Sequence, residues 1–152
     1  MSNAGTTGIF VATMTGTAEL CADEIQDAFD DLGISYERHA MDGLEADALA
    51  GIDNIIIVSS TYGHGDIPDN GQALYFSLED GADLSGKRYA VFGLGDRTYK
   101  DTFCRASELW DEVLRKCGAT PLTELCQHDA ATGSMPEDEA CEWAKGWASI
   151  LS

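Results

Sequence analysis

Short apolar runs alternate along the chain with longer stretches in which apolar residues recur every three or four positions. The first run, 8–13 (GIFVAT), predicts a buried strand. Residues 19–32 follow with helical spacing that sets Leu20, Ile25, Ala28, Phe29 and Leu32 on one face, and Gly33 supplies the stop. A second strand is expected at 35–39, where charged positions mark it as less completely covered. Ile55-Ile56-Ile57-Val58, inside 53–60, is the strongest signature of a central parallel strand, because such strands are buried on both faces. A helix over 70–78 and a fourth strand over 89–94 (YAVFGL) come next. The longest amphipathic helix is predicted over 102–117, with Leu109, Trp110, Val113, Leu114 and Cys117 toward the core. A weaker fifth strand at 123–126 precedes a last helix starting near Ser134. The spacing from Ser134 to Glu137 suits a capping box, and Pro136 stands in the first turn.

Five strands with five intervening or following helices imply an α/β fold: a doubly wound, five-stranded parallel sheet covered on both faces. One domain is expected across 1–152, with a flexible start at 1–5. Right-handed crossovers give the strand order 2-1-3-4-5. Ligands in such sheets bind beyond the carboxyl ends of the strands, so the loops after the first, third, fourth and fifth strands carry the chemistry.

An apolar fraction of 44% is that of a globular chain, but the charge is unusual: 9 Lys and Arg against 27 Asp and Glu, a formal net charge of -18. That acidity repels nucleic-acid phosphates and anionic membranes, and it both aids solubility and steers the molecule toward basic partners. No apolar run approaches the roughly 20 residues that span a bilayer. Nor does a basic start lead into an apolar stretch as in a signal peptide, so a cytoplasmic location is expected. Cys21, Cys104, Cys117, Cys126 and Cys141 are odd in number and never in C-x-x-C spacing, which argues against a disulfide framework and a metal site. Trp110, Trp143 and Trp147 sit at helical spacings and read as packing residues.

Three loops hold candidate binding groups. After the first strand, Thr13-Met14-Thr15-Gly16-Thr17-Ala18-Glu19 places hydroxyls around a glycine directly before a helix. Unpaired N–H groups and the positive end of the helix dipole make this a phosphate cradle without Lys or Arg, although Thr15 or Thr17 could equally serve as a simple helix cap. After the third strand, Ser60-Thr61-Tyr62-Gly63-His64-Gly65 offers an aromatic beside glycines. Tyr62 can cover a flat heterocycle, and Gly63 can reverse its peptide cheaply. After the fourth, Leu94-Gly95-Asp96 leads to a second aromatic, Tyr99. Two aromatics and a hydroxyl-rich helix start at one sheet edge point to an aromatic phosphate ester held between rings. G-x-x-x-x-G-K-[ST] is absent, G-x-G-x-x-G is missing from the first turn, and Ser59-Ser60 stand where a phosphoacceptor receiver would end its third strand in Asp.

These loops resemble those of the flavodoxin family. T-x-T-G-T-A-E resembles the FMN phosphate loop shared with diflavin reductases; T-Y-G-x-G-D-x-P-D-N (61–70) and G-L-G-x-x-T-Y (93–99) resemble the two isoalloxazine loops. Within the family the likeness extends to MioC-type short flavodoxins through S-S-T (59–61), G-D-I-P-D-N (65–70), D-T-F-C (101–104) and E-W-x-x-x-W (142–147). The resemblance implies a flavodoxin-like fold and FMN as cofactor. It places the phosphate at Thr13, Met14, Thr15, Gly16, Thr17 and Ala18, and the ring among Ser60, Thr61, Tyr62, Gly63, His64, Gly65, Leu94, Gly95, Asp96, Tyr99, Phe103 and Cys104. Tyr62 and Tyr99 would flank the ring, the Gly63 carbonyl would face its redox-active nitrogen, and Asp129 would reach the cofactor from beyond the fifth strand. Lys100 is one residue more than the family pattern has between the aromatic and the Phe103-Cys104 pair.

Such a protein needs no catalytic side chain or metal, because the flavin carries the redox chemistry. The expected function is one-electron transport between an NADPH-dependent flavodoxin reductase and an acceptor redox enzyme with a basic docking face, by a monomer. An FMN reductase enzyme and a binding or regulatory module without FMN remain as alternatives.

Overall fold

A computed structural model describes residues 6–12, 17–41, 43–49, 51–60, 67, 69–95, 105–129 and 135–148. Strand β1 (Thr7–Ala12) is buried along its whole length, and helix α1 (Thr17–Asp31) follows. The chain continues through β2 (Glu37–Ala40), a 3-10 turn (Ala46–Leu49), β3 (Asn54–Ser60), α2 (Asp69–Glu79), β4 (Arg88–Gly95) and α3 (Arg105–Lys116). It ends with β5 (Thr120–Pro121), β6 (Cys126–Asp129) and α4 (Pro136–Ala148). All strand pairs are parallel, in the order β2-β1-β3-β4-β5, with β6 also paired to β4.

Alternation along the strands divides the core in two. Phe10, Ile55, Ile57, Tyr89 and Val91 point to one face, where Leu74 and Tyr75 of α2 and Trp110, Val113 and Leu114 of α3 cover them. Ile9, Val11, Ile56, Val58 and Phe92 point to the other, under α1 and α4. There Phe29 meets Trp147 edge-on with ring centroids 5.8 Å apart. Trp110 and Trp147 are buried and Trp143 half-buried, as their spacing predicts.

The architecture and strand order follow the sequence pattern, with three corrections. The expected fifth strand at 123–126 is displaced and split. Between its two registers, Tyr89↔Pro121 and Phe92↔Cys126, β4 advances fewer residues than its partner, so 122–125 loop out. Thr120 and Leu122 donate to the Lys87 and Tyr89 carbonyls, so the missing N–H of Pro121 faces away from β4 and leaves that ladder intact as far as Leu122. Five helices were expected. Among the described residues there are four α-helices, and β2 crosses to β3 through the 3-10 turn alone, in a segment that Gly43 bends at φ 73. On α1, Leu20 and Leu32 are exposed, at 52% and 43%. The buried stripe is Ala18, Cys21, Ala22, Ile25, Ala28 and Phe29. Leu20 lies off that stripe, and Leu32 stands past the helix end, where Gly33 turns at φ 72. Ser134, the predicted cap of α4, lies outside the described residues, while Pro136 opens the helix.

Candidate functional site

The carboxyl ends of the inner strands stop on a common line. Ala12 pairs with Ser59, Ser60 with Leu94, and Gly95 with Asp129. In the sequence, segments 13–16, 61–66 and 96–104 follow directly on the ends of β1, β3 and β4. Thr13, Met14, Thr15 and Gly16, with Thr61, Tyr62, Gly63, His64 and Gly65, lie outside the described residues, as do Asp96, Tyr99, Phe103 and Cys104. The other candidate residues frame the edge. Thr17 opens α1, and Ala18 is fully buried beneath it. Ser60 closes β3, Leu94 is buried one residue before β4 ends at Gly95, and half-buried Asp129 closes β6.

Small residues let the helices press close to these strand ends. A Cβ built on Gly93 would fall 2.3 Å from both Cβ and Oγ of Ser107, so α3 rests directly on β4 just before its end. At Gly71, in the first turn of α2, a Cβ would stand 2.9 Å from Ala12 Cβ and 3.2 Å from Trp110 Cζ2. Asn70 Nδ2 donates to the Val11 carbonyl at 3.4 Å, tying the start of α2 to the end of β1. The Trp110 Nε1–H donates to Ser59 Oγ at 3.1 Å in the buried interior. Sequence reading missed Ser59, Gly71 and Ser107 as supports of the site. Gly71, directly after Asp69-Asn70 at a helix start, was a signal of close approach.

The far side of the edge is built from polar groups. His128 Nδ1 lies 2.6 Å from Glu139 Oε1 of α4, and the Cys126 thiol donates to the other carboxylate oxygen at 3.8 Å. Burial pushes the Cys21 thiol up to about 12, with the Glu137 and Glu139 carboxylates adding to the effect. Burial, reinforced by Glu139, pushes Cys126 to about 12 as well. Both are neutral structural thiols at ordinary pH rather than nucleophiles. Among the described residues no cluster of His, Cys, Asp and Glu could hold a metal ion, and no helix is long and apolar enough to cross a membrane.

The start of α1, a helix of 15 residues, points the positive end of its dipole and its first-turn N–H groups at the strand edge, an arrangement suited to an anion.

Comparison with known proteins agrees with this geometry. The profile of the family described as Flavodoxin matches residues 9–143. The chain is 34% identical to Flavodoxin YqcA of Pectobacterium carotovorum subsp. carotovorum over 95% of each chain. It is 35% identical to Protein MioC of Escherichia coli O157:H7, covering 90% of this chain and 91% of that one. A sulfite reductase [NADPH] flavoprotein alpha-component from Aliivibrio fischeri is 34% identical over 93% of this chain, which matches 23% of that longer protein. Among solved structures, oxidised Flavodoxin 2 from Bacillus cereus superposes with a TM-score of 0.84 at 31% identity, covering 95% of this chain and 99% of that one.

Proposed function

This chain belongs to the flavodoxin family, and we propose that it is an electron carrier binding FMN at the carboxyl edge of its sheet. The observation that supports this reading is the register that ends β1, β3, β4 and β6 on one line, because the phosphate-type loop and both aromatic loops follow directly on those strand ends in the sequence. The groups present fit FMN. The start of α1 offers N–H donors to a phosphate, and the sequence there, Thr13 to Ala18, adds hydroxyls and no competing charge before Glu19. Leu94 brings an apolar wall to the strand ends where a ring would lie.

Thr13, Met14, Thr15, Gly16, Thr17 and Ala18 hold the phosphate. Tyr62 and Tyr99 cover the two ring faces, with Ser60, Thr61, His64, Gly65, Leu94, Gly95, Asp96, Phe103 and Cys104 around them. Gly63 presents its carbonyl to the ring, and Asp129 approaches from β6. When bound, FMN supplies the one-electron chemistry, and the protein's part is to bind its oxidation states with different strength. For one electron, a tenfold difference in that binding corresponds to about 59 mV.

An NADPH-dependent flavodoxin reductase gives the electron and an acceptor redox enzyme takes it, each docking through a basic face. The formal charge of -18 supports such pairing, as does the likeness to part of a reductase flavoprotein. The carrier works as a monomer in the cytoplasm, since it must present its cofactor edge to successive partners.

Titrating the FMN-free protein with FMN and then reducing it stepwise, followed by absorbance, tests this. Stoichiometric uptake and two resolved one-electron steps are expected. No uptake at micromolar FMN would overturn the reading.

A further inference from the structure

One face of helix α2 forms an open groove of about 610 Å³ with the residue that leads into the 3-10 turn. Ala73, Phe76, Ser77 and Asp80 recur at helical spacing along it, and Glu45 and Glu79 complete the lining. The Ala46 N–H donates to Ser77 Oγ at 2.9 Å and holds the two walls together. Phe76 is 58% exposed, the most exposed large apolar side chain among the described residues. Tyr75 meets its ring at 5.7 Å, with 66° between the planes.

Among the described residues none of the three carboxylates in this groove has an ion-pair partner. The last turn of α2 holds no Lys or Arg, so the negative end of the helix dipole adds to the charge of Glu79 and Asp80. Uncompensated carboxylates around an exposed aromatic ring favour a cation that is also flat. A guanidinium lies on a ring face while donating sideways to carboxylates, which a compact ammonium does less well. A metal ion does not fit, because among the described residues no group of His, Cys, Asp and Glu could hold one. A second copy does not fit either, since each carries a charge of -18 and the same acidic groove.

We propose that this groove is a docking site for an arginine-bearing segment of a partner protein. α2 starts at the carboxyl edge of the sheet, where Asn70 holds the Val11 carbonyl, and Glu79 lies about 13 Å further along the helix. A segment seated in the groove therefore leaves that edge uncovered. Neither the groove nor its occupant depends on the cofactor.

The test titrates the isotope-labelled full chain with blocked tetra-arginine and tetralysine peptides at about 0.15 M salt, following amide chemical shifts. Tetra-arginine is expected to shift the amides of 45–46 and 73–80 most, and Phe76→Ala to weaken its binding by about two- to fivefold. Tetralysine, equal in charge, is expected to bind more weakly by about twofold or more and to be indifferent to Phe76→Ala. Glu45→Gln combined with Asp80→Asn is expected to weaken both peptides. All three positions are exposed, and the amide spectrum of each variant shows directly that its fold is kept. Absence of binding, shifts spread evenly over the acidic surface, equal binding of the two peptides, or binding unchanged by Phe76→Ala each overturn the proposal. So does a dimer in sedimentation that Phe76→Ala dissociates, which would assign the groove to a second copy.

Discussion

His128 and Glu139 are joined by a 2.6 Å contact between Nδ1 and Oε1 that fastens β6 to α4. His128 is 2% exposed, and Asp129 follows it at the strand end. Because Cys126 and His128 alternate onto the same face, one carboxylate receives both inward side chains of this four-residue strand. So short a strand has little ladder of its own, and Glu139 adds to its anchorage, as does Gln127 Nε2 donating to Ser107 Oγ at 3.5 Å.

Replacing Glu139 by leucine removes the acceptor from a buried imidazole and is expected to cost about 1–3 kcal/mol. Glu139→Gln keeps an acceptor oxygen and is expected to cost less. Urea denaturation of both variants measures the difference, and equal losses would contradict this role for the carboxylate.

Gly93→Ala forces a methyl into space held by Ser107, 2.3 Å away. Overpacking of this kind costs about 1–3 kcal/mol, and adding Ser107→Gly is expected to recover most of it. A double variant no more stable than Gly93→Ala would show that some other contact sets the distance between α3 and β4.

The corrected face of α1 yields a contrast between two aliphatic residues. Leu20, 52% exposed, is expected to tolerate Leu20→Lys within about 0.5 kcal/mol, whereas Ile25→Ala, at 0% exposure, is expected to cost about 2–5 kcal/mol. Thermal melts of the two proteins decide between this packing and the face expected from spacing alone.

Alkaline pH is expected to destabilise the fold. Burial raises Cys21 and Cys126 from 9.0 to about 12, and raises Tyr75 from 10.0 to about 12 with help from Glu79. Tyr89 is raised too, by burial and by its 2.6 Å bond to Asp111. The native chain keeps these protons where the unfolded chain has already released them. Their contribution is therefore complete below about pH 9 and is lost as pH climbs toward about 12. Urea midpoints across that window should fall steadily, and iodoacetamide should label Cys21 and Cys126 far more slowly in the native than in the unfolded protein.

Reduction by an NADPH-dependent reductase should slow steeply with salt. The screening length shrinks from about 30 Å at 0.01 M to about 8 Å at 0.15 M, which should reduce a charge-steered association rate by about tenfold or more. Stopped-flow reduction over that range checks this, and a flat profile would remove charge as the basis of docking.

The sequence carried the strand order because Ile55 to Val58 and the YAVFGL run are wholly apolar, as doubly covered strands must be. It was less informative where position in the fold overrides local pattern. Leu20 and Leu32 fit a helical stripe by spacing, yet the angle at which α1 lies on the sheet chose Ala18, Cys21 and Ala22 instead. The fifth strand was misplaced because its apolar signal is weak and because the pairing with β4 is interrupted between Pro121 and Cys126. At the candidate site, glycines, hydroxyls and aromatics announced themselves by type and order. Their supports did not: Ser59, Gly71, Ser107 and Trp110 are brought together across three elements, and only tertiary packing reveals the grouping.

The broken outer strand also governs how the molecule behaves in company. On that side the sheet ends in pieces of two and four residues, separated by a bend, the first closed by a proline that offers no N–H. On the other side β2 presents four residues, its Arg38 drawn back onto α1 by Asp23, Gln26 and the Glu19 carbonyl. Among the described residues neither border provides a long, flat template on which a second molecule could continue the ladder. Short, interrupted borders of this kind disfavour edge-to-edge association of an apolar parallel sheet.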